Sequence, residues 1–219
     1  MDKITATRRG LLLAILLLGG LVLFLQTHRE PNVGVELAGV KFTVPRFVLT
    51  DQKNEPFGSR ELDGNVWVAN FIFTRCALTC PAQTAKMVRL QTDLAQNPAW
   101  DSVRLISITV DPEHDTPEVL NEFTRRYGVD DERWKFLTGP HDRIYELSQS
   151  GFRLSAGRDT SRPEGSVIHS SKFVLVDDHH RVHGYYEGTS DEELDKLRRD
   201  LALLVEAKTP APISTVPRK

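Results

Sequence analysis

Cysteine is scarce in this chain of 219 residues: there are two, Cys76 and Cys80, so at most one disulfide can form within it. An excess of one charge is also missing. Twenty-eight Lys and Arg face 30 Asp and Glu, a formal charge of -2, with no basic stripe, which leaves no reason to expect nucleic acid as a partner. No internal repeat is present, which excludes a solenoid. Proline is absent from Glu164 through Thr209. A small-residue cleavage site is absent from Gln26-Thr-His-Arg-Glu-Pro31, directly after the first apolar run. An Arg- and Ser-rich presequence is absent before that run, which favours a bacterial over an organellar membrane.

The run itself, Gly10 to Leu25, is unbroken and follows Lys3, Arg8 and Arg9. It is short for a spanning helix of about 20 residues and long for a signal-peptide core. With no cleavage site behind it, it reads as an uncleaved anchor. The positive-inside rule keeps residues 1–9 in the cytoplasm and places the remainder on the periplasmic side. Residues 26–45 read as a linker and residues 46–207 as one α/β domain. The tail 208–219, with three prolines, reads as disordered. At 40% hydrophobic and 26% charged, the composition is that of a globular domain able to bury a core.

Within the domain, Pro45 to Gln52 predicts a short strand and turn. Val66 to Phe73 and Val103 to Val110 are near-continuous apolar runs, expected of central strands covered on both faces. Between them Met87, Leu90 and Leu94 recur at helical spacing, giving a parallel βαβ unit. Thr116 before Pro117 predicts an N-cap for a helix ending near Tyr127. Trp134 to Leu137 predicts a strand and 141–150 a helix, and 151–165 an irregular excursion or hairpin. Lys172 to Val176 and Val182 to Tyr186 predict an antiparallel pair. Ser190-Asp-Glu-Glu193 is a capping box for a last helix to about Glu206.

Both cysteines lie where the first central strand gives way to the first helix. A residue before proline is pushed out of the α region, and proline favours the first helical position. The helix is therefore expected to begin at Pro81, with Cys80 as N-cap and Cys76 in the loop before it. Both sulfurs would then feel the positive end of a helix dipole, which favours thiolate, and Arg75 would add to this if it points the same way. Strand, thiol loop and helix resemble a thioredoxin-like active site, but three residues separate the cysteines rather than two. A thiolate pair suits Cu(I), Zn(II) or a disulfide, and a metal would need a further ligand.

Seven histidines are available. His28 falls in the linker, and His114 and His141 near helix starts. His179, His180 and His183 flank a hairpin turn, where a solvated turn competes with adventitious metal binding. His169 is placed differently. It directly precedes the strand starting at Lys172, in the loop where thioredoxin-like oxidoreductases carry a cis-proline against the active-site sulfurs. This chain has a histidine there and no proline, a ligand in place of a residue that assists thiol–disulfide chemistry.

Taken together, Phe47-Val-Leu-Thr-Asp-Gln52, Phe73-Thr-x-Cys-x-x-x-Cys-Pro81, Ser107-Ile-Thr-Val-Asp-Pro112, Asp115-Thr-Pro-Glu-Val119, Leu137-Thr-Gly139, His169-Ser-Ser171 and Val176-Asp177 resemble the Sco/SenC family of copper-binding assembly factors for cytochrome c oxidase. The resemblance implies a thioredoxin-like central sheet with flanking helices, an N-terminal β extension and an inserted hairpin, behind one transmembrane helix. It implies that Cys76, Cys80 and His169 bind one copper ion, as Cu(I) or Cu(II). It further implies delivery to the binuclear copper site of oxidase subunit II, or to another copper-site protein, with other copper chaperones as further partners. Two positions depart from the family. Ala77 stands where proline usually follows the first cysteine, and Ile168 stands where an aspartate often precedes the histidine. A carboxylate supporting the site would then come from elsewhere, with Asp111 the candidate and a structural turn role its alternative.

Three functions compete on these residues. One is a metallochaperone, not an enzyme, whose thiols can also close to a disulfide. The second is a membrane-anchored thiol–disulfide oxidoreductase or thiol peroxidase using the redox pair Cys76 and Cys80. The third is an exported structural domain with one disulfide.

Overall fold

Seven consecutive residues, Val66–Ile72, are all buried, and this strand is the centre of the domain. The architecture is taken from a computed structural model that describes residues 42–76, 79–130, 132–159 and 166–208. The expected anchor at 10–25, the linker up to residue 41, Ala77, residues 160–165 and the tail beyond Lys208 lie outside the described residues. Among the described residues no helix is long and apolar enough to cross a membrane.

The strands are β1 (Val48–Asp51), β2 (Pro56–Gly58), β3 (Val66–Ile72), β4 (Val103–Thr109), β5 (Trp134–Thr138), β6 (Ala156–Asp159), β7 (Ser166–His169), β8 (Lys172–Val176) and β9 (Val182–Glu187). The helices are α1 (Cys80–Gln96), α2 (Pro117–Tyr127), α3 (His141–Glu146) and α4 (Asp191–Lys208). Seven strands form one mixed sheet in the order β2-β1-β5-β4-β3-β8-β9, and β6 and β7 form a separate antiparallel hairpin. β3, β4 and β5 are parallel neighbours, whereas β8 runs antiparallel to β3 and β9 antiparallel to β8. The expected βαβ unit and the β8–β9 pair are both present, as is the mixed α/β sheet with flanking helices. The extension at the front folds back as β1, antiparallel to β5.

Each face of the sheet has its own core. Val66, Val68 and Ile72 of β3 point to one side and pack with Met87, Leu90 and Leu94 of α1 and with Leu194, Leu197 and Leu201 of α4. Trp67, Ala69 and Phe71 point to the other, against Ile144, Tyr145 and Phe152. This is the strand alternation of side chains, with both faces covered.

Three local outcomes differ from the sequence pattern. α1 begins one residue earlier than expected: Cys80 is its first residue, Thr79 the N-cap and Pro81 the second position. The missing N–H of proline is one of the unpaired donors of a helix start in either place, so it does not fix the boundary to one residue. The helix predicted over 141–150 ends at Glu146 and continues as a π turn over Leu147–Gly151. The excursion before His169 is the β6–β7 hairpin, and His169 is its last strand residue, paired with Ala156.

The register positions the site. Ile72 pairs with Thr109, so the loops leaving the carboxyl ends of β3 and β4 adjoin, the usual location of a site in an open α/β sheet. Because β8 is antiparallel to β3, its leading loop, with His169, reaches the same end.

Candidate metal centre

Cys76, Cys80 and His169 come together with one ligand atom from each, all within 4.8 Å of one another. They arrive from three elements: the loop after β3, the first turn of α1 and the end of the β6–β7 hairpin. Both cysteines are in the dithiol form. Cys80 is buried, at 2% exposure, and Cys76 is half-buried. The Cys80 backbone N–H points at Cys76 Sγ at 3.5 Å. Cys80 Sγ lies 3.2 Å from His169 Nε2.

The tautomer of His169 follows from its contacts. Its Nδ1 lies 3.0 Å from the Ser170 carbonyl oxygen, which can only accept, so Nδ1 carries the proton. Nε2 is left with its lone pair facing the thiols. The ring stands edge-on to Phe73, centroids 5.4 Å apart. Burial lowers the His169 pKa, opposed by hydrogen bonds to the Ser170 and Phe71 backbones, and the imidazole stays neutral and ligating.

The expectation that the helix start would favour thiolate is not met at Cys80. Burial pushes its thiol up to about 12, and the Phe73 backbone contact does not offset that. Desolvation of a charge inside the fold outweighs a partial dipole charge. A metal entering here must displace the Cys80 proton.

Asp111 is buried, at 1% exposure, and its carboxylate takes the Arg75 guanidinium at 2.5 Å. It supports the cysteine loop through Arg75, while the ring nitrogen of His169 is held by a backbone carbonyl. Arg75 accordingly turns toward Asp111. Asp115, present in the sequence only as part of a motif, does more. Its fully buried carboxylate accepts the Thr74 backbone N–H (3.0 Å), the Thr74 hydroxyl (2.5 Å) and the Thr109 hydroxyl (2.5 Å), and meets His114 Nδ1 at 2.9 Å. These contacts fasten the residues before Cys76 to the loop after β4. The signal available in the sequence was an Asp four residues beyond Asp111, ahead of a Thr-Pro helix start.

Among the described residues the remaining histidines do not converge on the centre. His180 Nε2 bonds Asp63 at 2.6 Å and His183 Nε2 bonds Asp177 at 2.9 Å. His179 is exposed and His141 lies against Tyr145. Among the described residues no other group of three such ligands is near enough for one ion.

A SCO1/SenC family model matches residues 36–205. An SCO1 protein homolog of Bacillus subtilis (strain 168) is 36% identical over 166 residues, 74% of this chain and 82% of that relative. The solved structure of BsSco, a member of the Sco family of cytochrome c oxidase assembly proteins, has a TM-score of 0.65 at 35% identity, covering 76% of this chain and 95% of that one. Bradyrhizobium japonicum ScoI, solved with copper bound, has a TM-score of 0.60 over 72% of this chain and 99% of its own, and at 23% identity the likeness is one of fold.

Proposed function

This chain belongs to the SCO1/SenC family, and from that premise we propose that it is a copper metallochaperone whose cargo is held by Cys76, Cys80 and His169. The observation that carries this reading is the convergence of two sulfurs and an imidazole lone pair within 4.8 Å. Two thiolates and one imidazole are a soft set that suits Cu(I) and, through the histidine, accepts Cu(II). The spacing fits. A d10 ion with a metal–sulfur bond near 2.3 Å and a metal–nitrogen bond near 2.0–2.1 Å needs sulfur–nitrogen separations of roughly 3.5–3.8 Å. The present separation is 3.2 Å, with the Cys80 proton still in place.

Three protein ligands leave one side of the ion to incoming groups, which is what transfer to another copper site requires. Cys76, the half-buried thiol, is the natural first point of exchange. Cys80, the buried ligand, and His169, half-buried like Cys76, hold the ion until a partner's ligands replace it. The recipient is the binuclear copper site of cytochrome c oxidase subunit II or a similar copper site, and another copper chaperone is the supplier. The domain works on the periplasmic side of a bacterial plasma membrane, tethered by residues 10–25. In this role the protein is a carrier and not an enzyme.

Copper stoichiometry on the reduced, detergent-purified full chain tests this, beside Cys76→Ser, Cys80→Ser and His169→Ala. One tightly held copper per chain, weakened in all three variants, with a sulfur-to-copper charge-transfer band in the Cu(II) form, is the expected result. Absence of tight copper, with rapid reduction of a disulfide substrate, would turn the same sulfurs into a redox pair. One observation favours that second reading: the Cys80 amide directed at Cys76 Sγ would stabilise an outer thiolate as the attacking group.

A further inference from the structure

Gln83 sits one turn beyond Cys80 on the same helix face, at 0% exposure. Among the described residues neither its Nε2 nor its Oε1 has a hydrogen-bond partner. A buried unpaired polar atom costs about 1–3 kcal/mol and calls for an explanation at a native position. Its surroundings supply one. A Cβ on Gly188 would fall 2.5 Å from the Ser171 carbonyl oxygen and 3.0 Å from both Cγ and Nε2 of Gln83. The carboxamide and the Ser171 carbonyl thus close over the same bare glycine. That carbonyl accepts one bond, from Gly188 N at 2.9 Å, and keeps a second lone pair. Ser171 is two residues from His169, whose ring is itself tied to the Ser170 carbonyl.

We propose that Gln83 is a positioning residue of the metal centre, whose carboxamide donates to the Ser171 carbonyl when the site is loaded. The inference rests on Cys76, Cys80 and His169 being metal ligands. Loading removes the Cys80 proton and parts Cys80 Sγ from His169 Nε2 by a few tenths of an ångström, from 3.2 Å to roughly 3.5–3.8 Å. His169 shifts together with Ser170 and Ser171, the backbone beside Gln83. The amide left unpaired in the dithiol state gains its partner in the loaded state. Part of the polar cost of the empty centre is thereby released on metal uptake, which raises affinity without adding a ligand.

The test is Gln83→Met, which keeps the volume and removes both polar atoms, measured on the full chain against wild type. Two readouts should move in opposite directions. The melting temperature of the metal-free dithiol form should rise by about 2–6 °C, because an unpaired amide is gone. Cu(I) affinity, measured by competition with a Cu(I) chelator, should fall about tenfold. A purely structural glutamine would give a lower melting temperature with affinity within twofold of wild type, and either of those results overturns the proposal. A second measurement needs no folded variant: on adding one equivalent of Cu(I), the wild-type Gln83 side-chain NH2 resonances should move downfield. Resonances that stay in place while the His169 signals shift also overturn it. Failure of wild type to bind Cu(I) would remove the functional reading itself, whereas binding that Gln83→Met leaves unchanged removes only this inference.

Discussion

His169 and His180 lie in two differently built regions of one domain, the first half-buried and the second buried. His180 has 5% exposure, packs edge-on to Trp67 and places Nε2 2.6 Å from Asp63, which Arg46 also bonds. The backbone beside it receives the front of the chain: Val44 N donates to the His180 carbonyl and Thr43 bridges Arg181. Asp63 there meets both the Arg46 guanidinium and the His180 ring, and the histidine acts as a pin. At the metal centre the ring is tied instead to a neutral carbonyl, and its second nitrogen faces a thiol. The carboxylates nearby, Asp111 and Asp115, serve Arg75, Thr74 and Thr109. The difference lies in where the second ring nitrogen faces: at His180 it is Nδ1, enclosed without a hydrogen-bond partner among the described residues, whereas at His169 it is Nε2, turned to the Cys80 sulfur.

The sharpest way to break this contrast is to remove each ring. His169→Ala should lower Cu(I) affinity by more than about a hundredfold, beyond the 10–100-fold typical of a supporting residue. His180→Ala should leave that affinity unchanged and lower the melting temperature by about 2–6 °C. Equal copper loss in both variants would erase the distinction.

Asp115→Ala comes next. It strands the Thr74 amide and two hydroxyls in a buried site, a cost of about 3 kcal/mol in chemical denaturation. It also releases the loop that presents Cys76, so Cu(I) affinity should fall about tenfold. Unchanged affinity would make the clasp structural only.

The pH dependence of the two states separates the regions further. Below about 12 the Cys80 proton must be displaced, so Cu(I) affinity should fall at least about tenfold per pH unit from 8 to 6. Without metal, the folded chain keeps that proton to about 12 while the unfolded thiol loses it near 9.0, so stability should decline as pH rises above 9.0. Cys80→Ser should remove the part of this decline that starts near 9.0 and leave the part from Tyr185 and Tyr186, whose buried hydroxyls are raised from 10.0. His169 acts at the other end of the scale. Its folded pKa is below the ordinary 6.5, so the unfolded chain takes the proton first and stability should fall as pH drops below 6.5.

Arg46→Ala should have the smallest effect, because the Arg46–Asp63 pair is about half exposed on both sides. A change in melting temperature of at most about 2 °C with unaltered copper binding is expected.

Much of this was legible in the sequence for a physical reason. Val66–Ile72 and Val103–Thr109 read as central strands because apolar runs of that length are buried on both faces. Met87, Leu90 and Leu94 read as a core stripe because their spacing repeats the helix. His169 stood out because proline was absent where the fold would place one. Asp115 was less legible than Asp111, since its value lies in donors from Thr74 and Thr109, which only the parallel β3–β4 register brings together. The raised Cys80 pKa was hidden for a similar reason. A helix start can be read from Cys80-Pro81, but the depth of the first turn depends on how α1 packs on the sheet.

Cys80 and His169 are 89 positions apart, and this separation bears on the topology of the chain. A Cys76–Cys80 disulfide would close a ring four positions long, whereas an ion shared with His169 closes one spanning β4, β5 and the hairpin. If a metal crosslink restricts the unfolded chain as a disulfide does, the longer ring contributes about 3 kcal/mol more through loop-closure entropy. Loaded and oxidised protein would then differ in how much of the sequence is tied together. A partner that removes copper returns the long ring to an open chain, and closing the disulfide afterwards cannot restore that constraint.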